Sequence, residues 1–366
     1  MFEAGRDGAR RLLAAKLPDA KGSIAMLVGM FPSGRQTSSL DLSVCILTHS
    51  QAVLLRRCVA ACVSEIERAR LAAEIIIIDN ASRDRYPDKL AALTPMIRII
   101  RNEENLGFGV ANNRGIRMSS GRLVLILNDD AILEEGSLKL MVSRLESDPR
   151  IGAIGPSLLN PDGSLQSGYM NKRLPHLRGL VCELLGLDQF LRLNPWTRAW
   201  LTMWDDPKNS PEPEQLAGAC LLVRRQALDQ EGLFDEGFYY LLEDADLSYR
   251  LRKAGWRILC VQAAHITHHG GATFSRWSPI EQRTNYFRSY TYFFKKHSSP
   301  VKYFLVRLAL GLVIPIWMCE RAIPGIMRRR WTYIELANET RANFRLLRST
   351  LWAWGSRRPR EGSFKG

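Results

Sequence analysis

The stretch Leu123–Asp130 reads Leu-Val-Leu-Ile-Leu-Asn-Asp-Asp, five apolar residues followed by an amide and two acids. A continuous apolar run of this length is typical of a strand that is buried on both faces. In open α/β sheets, ligands bind beyond the carboxyl ends of the strands. Carboxylates at such an edge suit a hard divalent cation, Mg²⁺ or Mn²⁺, held together with substrate phosphates. A simple strand-ending turn also favours Asn and Asp, so the stretch alone leaves both interpretations open.

The segments upstream alternate between strand and helix patterns. Strands are predicted at 42–48, 74–78 and 96–100, with a helix from Leu54 to about Arg70. A second helix opens within 105–116 and leads into the strand at Leu123. This alternation predicts a parallel sheet with right-handed crossovers, and polar residues at successive strand ends then converge on one edge.

A second acidic cluster follows the aromatic and leucine-rich run 239–242. Glu243, Asp244 and Asp246 fall within four positions. Carboxylates this close repel each other, and partial desolvation raises the pKa of at least one of them. The cluster therefore favours a cation site or a proton-transfer site. The same acids would also complement the start of a helix that ends at Gly255, and the two interpretations are compatible.

Taken in order, these motifs resemble the family 2 glycosyltransferases of GT-A fold, particularly the bacterial rhamnosyltransferase-like branch. The resemblance covers residues 42 to about 297, and its strength lies in the ordered set, since no motif is specific alone. The matching pieces are Thr48, Ile78–Ser82, Asn105–Asn113, Leu127–Asp130, Gly218–Arg225, Gly232–Glu236, Glu243–Asp246 and His268–Thr273. The resemblance implies an α/β fold, with a Rossmann-like, mostly parallel sheet flanked by helices.

The resemblance also implies roles on the acceptor side and at the cation. Asp244 matches the general base that deprotonates the acceptor hydroxyl, and Glu243 and Asp246 would orient the acceptor or tune that base. Asp130 is the position expected to contact Mg²⁺ or Mn²⁺. His268 matches a histidine that some members add to the metal site.

Two other histidines lie close to His268 in the sequence. His265, His268 and His269 lie within five residues, and His269 is the second candidate for the metal. A histidine-rich turn taken alone is more often structural than metal-binding.

On the donor side, the resemblance implies that Asp79 holds the nucleobase. Further nucleotide-sugar-binding positions are Thr48, Asn80, Asn105, Gly107, Asn112, Asn128 and Asp129.

The expected function is an inverting, metal-dependent transfer of a sugar from a nucleotide diphosphate donor to a glycan or polyprenyl-linked acceptor, in cell-surface polysaccharide synthesis. The donor expected first is dTDP-rhamnose, and a UDP-hexose is the alternative. An inverting displacement needs one base and a stabilised leaving group, and no protein nucleophile.

Other classes fit less well. A non-catalytic donor-binding relative would be expected to lack Asp130 or Asp244, and a nucleotidyltransferase would carry a glycine-rich basic loop where Thr48–Gln51 stands. The dinucleotide fingerprint fails because Gly107-x-Gly109 is followed by Asn112 instead of a third glycine. No His-Glu-x-x-His and no paired Cys-x-x-Cys supports a zinc hydrolase.

The flanks of the chain differ in composition. The predicted organisation is a flexible N-terminal extension at 1–40, a nucleotide-sugar-binding half at 41–130, an acceptor-binding and catalytic half at 131–298, and an apolar and basic helical membrane-associating region at 299–366. The apolar run 304–319 falls short of the roughly 20 residues needed to span a bilayer, and it contains Arg307. From residue 321 onward, eleven Lys or Arg stand against three Glu.

Charge and cysteine content indicate the compartment and the partner. The net charge is +14, and it concentrates beside the apolar run, which favours an anionic membrane surface over nucleic acid. A packed helix with a solvated basic tail is the alternative. The seven scattered cysteines suit reduced thiols in a cytoplasm. We therefore expect a cytoplasmic protein, peripheral on the inner face of the cell membrane.

Overall fold

The computed structural model describes residues 40–84, 86–166, 173–177, 180, 212–238, 241–270 and 279–312. The predicted N-terminal extension, apart from residue 40, lies outside these ranges. So do most of residues 171–213, and residues 313–366 of the predicted membrane-associating region.

The chain alternates strands and helices up to residue 159. The described strands are β1 (Leu42–Thr48), β2 (Ala73–Asn80), β3 (Ile97–Asn102), β4 (Leu123–Asn128), β5 (Ala131–Leu133), β6 (Ile151–Leu159), β7 (Cys220–Arg224) and β8 (Arg257–His268). The described helices with defined ends are α1 (Ala52–Ala69), α2 (Tyr86–Ala91), α3 (Phe108–Arg117), α4 (Ser137–Glu146), α5 (Arg225–Glu231), α6 (Glu243–Lys253) and α7 (Pro279–His297). Residues 300–312 are also helical.

The strands form one sheet of order β3-β2-β1-β4-β7-β6-β8-β5. The first four strands pair in parallel. β7 runs antiparallel to both β4 and β6, β8 runs parallel to β6, and β5 runs antiparallel to β8. Six strands therefore point one way and two the other, which confirms the predicted mostly parallel sheet.

The strand order reverses between β1 and β4. β2 and β3 lie on one side of β1, and β4 lies on the other. Such a switch point opens a crevice at the carboxyl ends of the parallel strands. Thr48 lies opposite Asp79 in the register, and Leu47 lies opposite Asn128, so the polar residues that end these strands share one edge.

Two apolar clusters hold the described elements together. The first joins the sheet to α3, α5 and α6. The second is largely aromatic and joins α6 and α7 to the helix at 300–312, in which Val306 and Leu310 are completely buried. No helix in the described ranges is both long enough and apolar enough to cross a membrane.

Most of the predicted strands and helices match the structure closely. The helix predicted from Leu54 to about Arg70 is α1, which begins at Ala52. The antiparallel strand β7 was not predicted. It falls in the middle of the sheet, between β4 and β6, and separates the first four strands from the second half of the sheet.

Candidate active site

The acid-containing motif 128–130, at the end of β4, lies at the bottom of the crevice. The Thr48 hydroxyl at the end of β1 donates a 2.6 Å hydrogen bond to Asp129 Oδ2, and both residues are buried. The backbone N–H of Asn128 donates to the carbonyl of Ala219, at the entrance to β7. These contacts fix the three polar residues 128–130 between β1 and β7.

Asp130 and His268 form the part of this edge that is suited to a cation. They lie on the antiparallel pair of β5 and β8, where Ala131 is opposite His268. His268 Nε2 is 3.3 Å from Asp130 Oδ1, both side chains are nearly buried, and Oδ1 has no hydrogen bond within the described structure. Two neighbouring ligands of an octahedral cation, each about 2.1 Å from it, lie about 3 Å apart. The pair therefore has the spacing of two cation ligands.

Gln166 determines which nitrogen of His268 faces Asp130. The Gln166 Nε2 group donates to Asn160 Oδ1 and to the His268 carbonyl, so its Oε1 is the atom that meets His268 Nδ1 at 2.7 Å. Because Oε1 can only accept, Nδ1 carries the proton. A neutral imidazole then presents the lone pair of Nε2 to the carboxylate, and this arrangement suits a cation between them.

The two neighbouring histidines are placed differently. His265 lies three positions earlier on β8 and so points to the opposite face of the sheet from His268. His269 is just beyond the strand, with its backbone N–H bonded to the Asp130 carbonyl. Burial and the nearby charge of Arg57 lower the pKa of His269. Among the described residues, no group of three or more His, Cys, Asp or Glu side chains is arranged to hold a metal.

Asp79, at the end of β2, is buried, and both of its oxygens accept hydrogen bonds. Oδ1 accepts from the Ser82 N–H at 2.9 Å, and Oδ2 accepts from Arg101 Nε at 3.0 Å. Arg101 lies on the edge strand β3 and also binds Asp88. The ion pair orients the Asp79 carboxylate at the edge of the crevice, where a donor base is expected.

The asparagine side chains predicted to bind the donor form hydrogen bonds that organise the surrounding backbone. Asn80 Nδ2 donates to Asn105 Oδ1 at 2.7 Å, while the Asn80 Oδ1 accepts from Asn102 and from the Leu106 N–H. Asn105 Oδ1 also accepts from the N–H of Gly107, whose φ of 78° only glycine adopts readily. Asn80 and Asn105 therefore shape the loop that leads into α3.

The two asparagines of α3 face inward. Asn112 is completely buried and donates to the Phe108 carbonyl, and its Oδ1 has no hydrogen bond among the described residues. Asn113 exchanges hydrogen bonds with both the N–H and the carbonyl of Phe234. Both residues therefore lie on the part of α3 that packs against the protein.

The acidic cluster begins α6. The preceding residues Leu241 and Leu242 have φ of 66° and 68°, left-handed conformations that cost about 1–3 kcal/mol each for a non-glycine residue. Asp244 Oδ2 accepts from the Gly218 N–H at 3.0 Å, and Oδ1 accepts from the Ala245 N–H at 2.8 Å. Backbone donors therefore hold its carboxylate at the N-terminus of the helix.

Glu243 and Asp246 meet other environments. Glu243 is buried, its Oε2 has no hydrogen bond among the described residues, and burial together with the charges of Asp244 and Asp246 raises its pKa to about 8. Asp246 is completely buried and accepts from Arg250, Lys296 and His297. Its carboxylate is thus occupied by basic side chains, which favours a supporting role over contact with an acceptor.

Asp244 and the motif at 128–130 are connected through Gly218–Ala219. Gly218 binds Asp244 through its N–H, and Ala219 binds the backbone of Asn128 through its carbonyl. The motifs at 128–130 and 243–246, more than a hundred residues apart, are therefore joined through two consecutive residues.

Sequence comparison identifies the family to which this arrangement belongs. Residues 43–191 match the model of glycosyl transferase family 2. The chain is 32% identical over 269 residues to the N-acetylglucosaminyl-diphospho-decaprenol L-rhamnosyltransferase of Mycobacterium tuberculosis, covering 70% of this chain and 85% of that protein. The chain belongs to glycosyl transferase family 2. The resemblance to the rhamnosyltransferase-like branch is thereby confirmed.

Two further proteins are similar to the chain at lower identity. The low-salt glycan biosynthesis hexosyltransferase Agl10 of Haloferax volcanii is 22% identical, over 79% of this chain and 87% of that protein. The solved structure of the mannosyltransferase PcManGT from Pyrobaculum calidifontis, in complex with GDP-Man and Mn²⁺, is 16% identical with a TM-score of 0.51, and covers 90% of this chain and 92% of that one. The fold of this transferase is GT-A.

Sequence reasoning did not find several residues that shape the family 2 site. Gln166, Arg101 and Gly218 each contact a predicted site residue, and Asn113 holds the backbone of Phe234. Gln166 lies 102 positions from the histidine that it orients. Only pairing in the folded sheet reveals that contact, although Gly218 and Asn113 do fall within motifs that carried the resemblance.

Proposed function

We propose that this transferase is an inverting, metal-dependent enzyme that moves rhamnose from dTDP-rhamnose to a glycan or polyprenyl-linked acceptor in cell-surface polysaccharide synthesis. The observation that carries the proposal is the junction at Gly218–Ala219, which connects the Asp244 carboxylate to the edge holding Asp130 and His268. A displacement needs a base and a site for the departing charge close together, and the junction supports that arrangement.

In this proposal, Asp244 accepts the proton of the acceptor hydroxyl as the oxygen forms its bond to the anomeric carbon. The bond from that carbon to the donor's diphosphate breaks, and the nucleoside diphosphate leaves with the electron pair. Asp130 and His268 would hold Mg²⁺ or Mn²⁺, which when bound neutralises charge on the diphosphate. Asp79 is assigned to the nucleobase, and Asn128 and Asp129 with Thr48 to the donor edge.

The choice of substrates rests on the relatives. The Mycobacterium tuberculosis relative is named for rhamnose transfer to a sugar on decaprenyl diphosphate. A UDP-hexose is the alternative donor, because the Haloferax volcanii relative is a hexosyltransferase. A polyprenyl-linked acceptor would bring the enzyme to a membrane.

The helix at 300–312 supports a location on the inner face of the cell membrane. Five apolar residues line its exposed side at helical spacing, and we name this set the apolar stripe. It consists of Val301, Phe304, Leu305, Leu308 and Leu312. Residues 295–312 contain Lys295, Lys296, Lys302 and Arg307 and no acid. An apolar face flanked only by cations is complementary to anionic lipid.

The decisive experiment is a transfer assay with dTDP-rhamnose and a panel of UDP-hexoses, using a polyprenyl diphosphate-linked N-acetylglucosamine acceptor with Mn²⁺, Mg²⁺ or a chelator. We expect rhamnose transfer that requires the cation. Asp244→Asn keeps the shape of the side chain but is a poor base, so kcat should fall by about 10²–10⁴-fold while donor affinity is retained.

The exposed Asp229 on α5 provides the matched control, as Asp229→Asn removes the same charge away from the site. Transfer from a UDP-hexose alone would select the alternative donor. Full activity in chelator would refute the cation requirement. An Asp244→Asn variant as active as the control would refute Asp244 as the base.

A further inference from the structure

Lys296 and His297 are the last two residues of α7. Both contact the helix turn that carries the proposed base. We propose that both are positioning residues for the catalytic base and that they act through Asp246. The inference rests on the proposed function, since it assigns a task to residues around the same Asp244. Neither belongs to a motif that carried the family resemblance.

The first turn of α6 needs outside support. Its entry through Leu241 and Leu242 is left-handed, and the N-cap position Leu242 makes no side-chain cap hydrogen bond. Glu243, Asp244 and Asp246 then place three acids in one turn. Conformational strain and mutual repulsion both oppose the observed geometry, so other contacts must hold it.

Asp246 receives that support. Its Oδ1 accepts from His297 Nε2 at 2.6 Å and lies 2.7 Å from Lys296 Nζ. Its Oδ2 accepts from Arg250 Nε at 2.7 Å. The carboxylate is completely buried, and two of its three partners come from α7, about fifty residues further along the chain. Because Asp246 is two positions after Asp244, fixing it fixes the helix turn that aims the base.

The same lysine also holds the loop that leads toward α6. Lys296 Nζ is 2.6 Å from Asp235 Oδ2, which also accepts from the Tyr292 hydroxyl. Gly237 lies directly against the Tyr292 ring, where a Cβ would overlap it. Arg250 adds hydrogen bonds to the carbonyls of residues 231–233. Loop, α6 and α7 are therefore joined in one network of ion pairs.

This loop supports Asp244 from the opposite side as well. Phe234 packs edge-on against Phe108, with ring centres 5.5 Å apart. The Phe108 ring in turn lies against Gly218, the residue whose N–H binds Asp244. Both contacts of the base, the helix turn and the Gly218 donor, thus depend on elements that the network holds.

The charges of the network balance. Asp235 and Asp246 contribute two negative charges, and Arg250 and Lys296 contribute two positive ones, so His297 completes the network as a neutral N–H donor. Burial lowers the pKa of His297, as does the charge of Lys296, despite the opposing effect of Asp246. A neutral donor can be replaced by another neutral donor, which provides a specific test.

The test compares four variants for kcat, for KM and for calorimetric Kd of the nucleotide-sugar donor. We expect His297→Leu and Lys296→Met to lower kcat by about 10–100-fold, the cost of misplacing a reacting group, with donor Kd unchanged. His297→Gln retains a neutral donor and should recover most of the lost rate. Lys253→Met removes an exposed lysine at the other end of α6 and should match the wild type.

A double variant tests whether the effect passes through Asp246. If it does, adding His297→Leu to Asp246→Asn lowers kcat no further, because coupled residues are not additive. If Lys296→Met fails to fold, His297→Leu and its glutamine rescue decide alone.

Three results would overturn the inference: a His297→Leu enzyme with unchanged kcat, one whose donor affinity falls in step with kcat, or an additive double variant. Failure of the proposed function looks different. In that case the Asp244→Asn variant itself stays active, whatever the effect of the His297 substitutions.

Discussion

The three carboxylates in the first turn of α6 are close in sequence and differ in their surroundings. Backbone N–H groups hold Asp244, burial keeps a proton on Glu243, and basic side chains neutralise Asp246. Environments that separate the properties of neighbouring acids are how one site obtains distinct proton acceptors and donors. Under the proposed function, Asp244 can serve as the base because its neighbours are protonated or paired.

Glu243→Gln should mimic the wild-type state of that residue at pH 7. Because burial and two neighbouring charges raise the Glu243 pKa to about 8, the folded protein keeps a proton that the unfolded chain loses near the ordinary value of 4.5. Wild-type stability, relative to Glu243→Gln, should therefore fall as the pH rises from 4.5 to about 8. Thermal melting across this range, with kcat at pH 7 close to the wild-type value, checks the prediction. A constant difference in melting temperature would show that Glu243 is ionised throughout.

Gln166→Leu should weaken the cation site without touching a ligand. The substitution removes the acceptor that keeps the proton on His268 Nδ1. Loss of such an orienting partner typically costs about 10–100-fold in metal affinity. Mn²⁺ titration followed by electron paramagnetic resonance measures the effect directly, and His265→Gln, on the opposite face of β8, serves as the control. Equal Mn²⁺ affinity in Gln166→Leu and the control would contradict the role of Gln166.

At the scale of the elements, a buried carboxylate also connects the parallel strands at the end of the sheet opposite the site. Glu74, near the start of β2, accepts from the Ser43 hydroxyl on β1 and from the N–H and hydroxyl of Ser120, three positions before β4. Arg98 on β3 pairs with its second oxygen. One side chain thus fastens the entrances of four parallel strands, opposite the edge that carries the site.

Removing this connection should lower stability in a pH-dependent way. Burial alone would raise the pKa of Glu74, but the hydrogen bonds from Ser120 and Ser43 and the charge of Arg98 lower it overall. The stabilisation is therefore present above the ordinary value of 4.5 and is lost as the pH falls through the lower folded value. Glu74→Ala should cost about 1–3 kcal/mol at neutral pH, since it leaves buried donors unsatisfied.

Urea unfolding at neutral and acid pH measures this cost. The exposed Glu103→Gln is the control, and the difference between Glu74→Ala and wild type should shrink in acid. A cost that stays the same at low pH would assign the effect to packing instead of the charge.

The strands and helices were easier to predict from the sequence than the contacts between them. The apolar run at 123–127 and the isoleucines of β2 identify buried strands because nothing else explains such runs. The acids at 243–246 predicted a helix start, and α6 begins at Glu243. Contacts such as Gln166 with His268 carry no local signal, since each residue would be unremarkable in a solvent-exposed turn. Pairing across the sheet, which the sequence does not encode locally, creates them.

At the scale of the whole molecule, one surface combines apolar side chains with excess positive charge. The apolar stripe is exposed while Val306 and Leu310, on the other side of the same helix, are buried in the aromatic cluster. The helix at 300–312 is therefore both part of the core and part of the surface. Its buried side matches the packed-helix interpretation, and its exposed apolar side is the one that the proposed membrane contact would use.

Point substitutions on the stripe should separate these roles. Phe304→Glu with Leu308→Glu should abolish sedimentation with anionic liposomes and leave donor binding intact, because neither side chain is buried. Leu140→Glu, at a comparably exposed leucine on α4, is the control. Raising the salt concentration should weaken wild-type attachment only in part, since screening acts on the cations and not on the apolar contact. Undiminished sedimentation of the double variant would place the lipid contact elsewhere.

The pairing of β5 with β8 also bears on the order of events during synthesis. The donor edge, from Thr48 to Asp130, is a single continuous section of chain, whereas Asp130 meets His268 only across a separation of 268 − 130 = 138 residues. Closing so long a loop is entropically slower than forming the adjacent βαβ units, and the N-terminal part emerges from the ribosome first. A nascent chain should therefore acquire the shape that recognises a nucleotide before it can retain a cation. In refolding experiments, Mn²⁺ affinity should appear in a later kinetic phase than nucleotide affinity, and simultaneous recovery would show that the two halves fold as one cooperative unit.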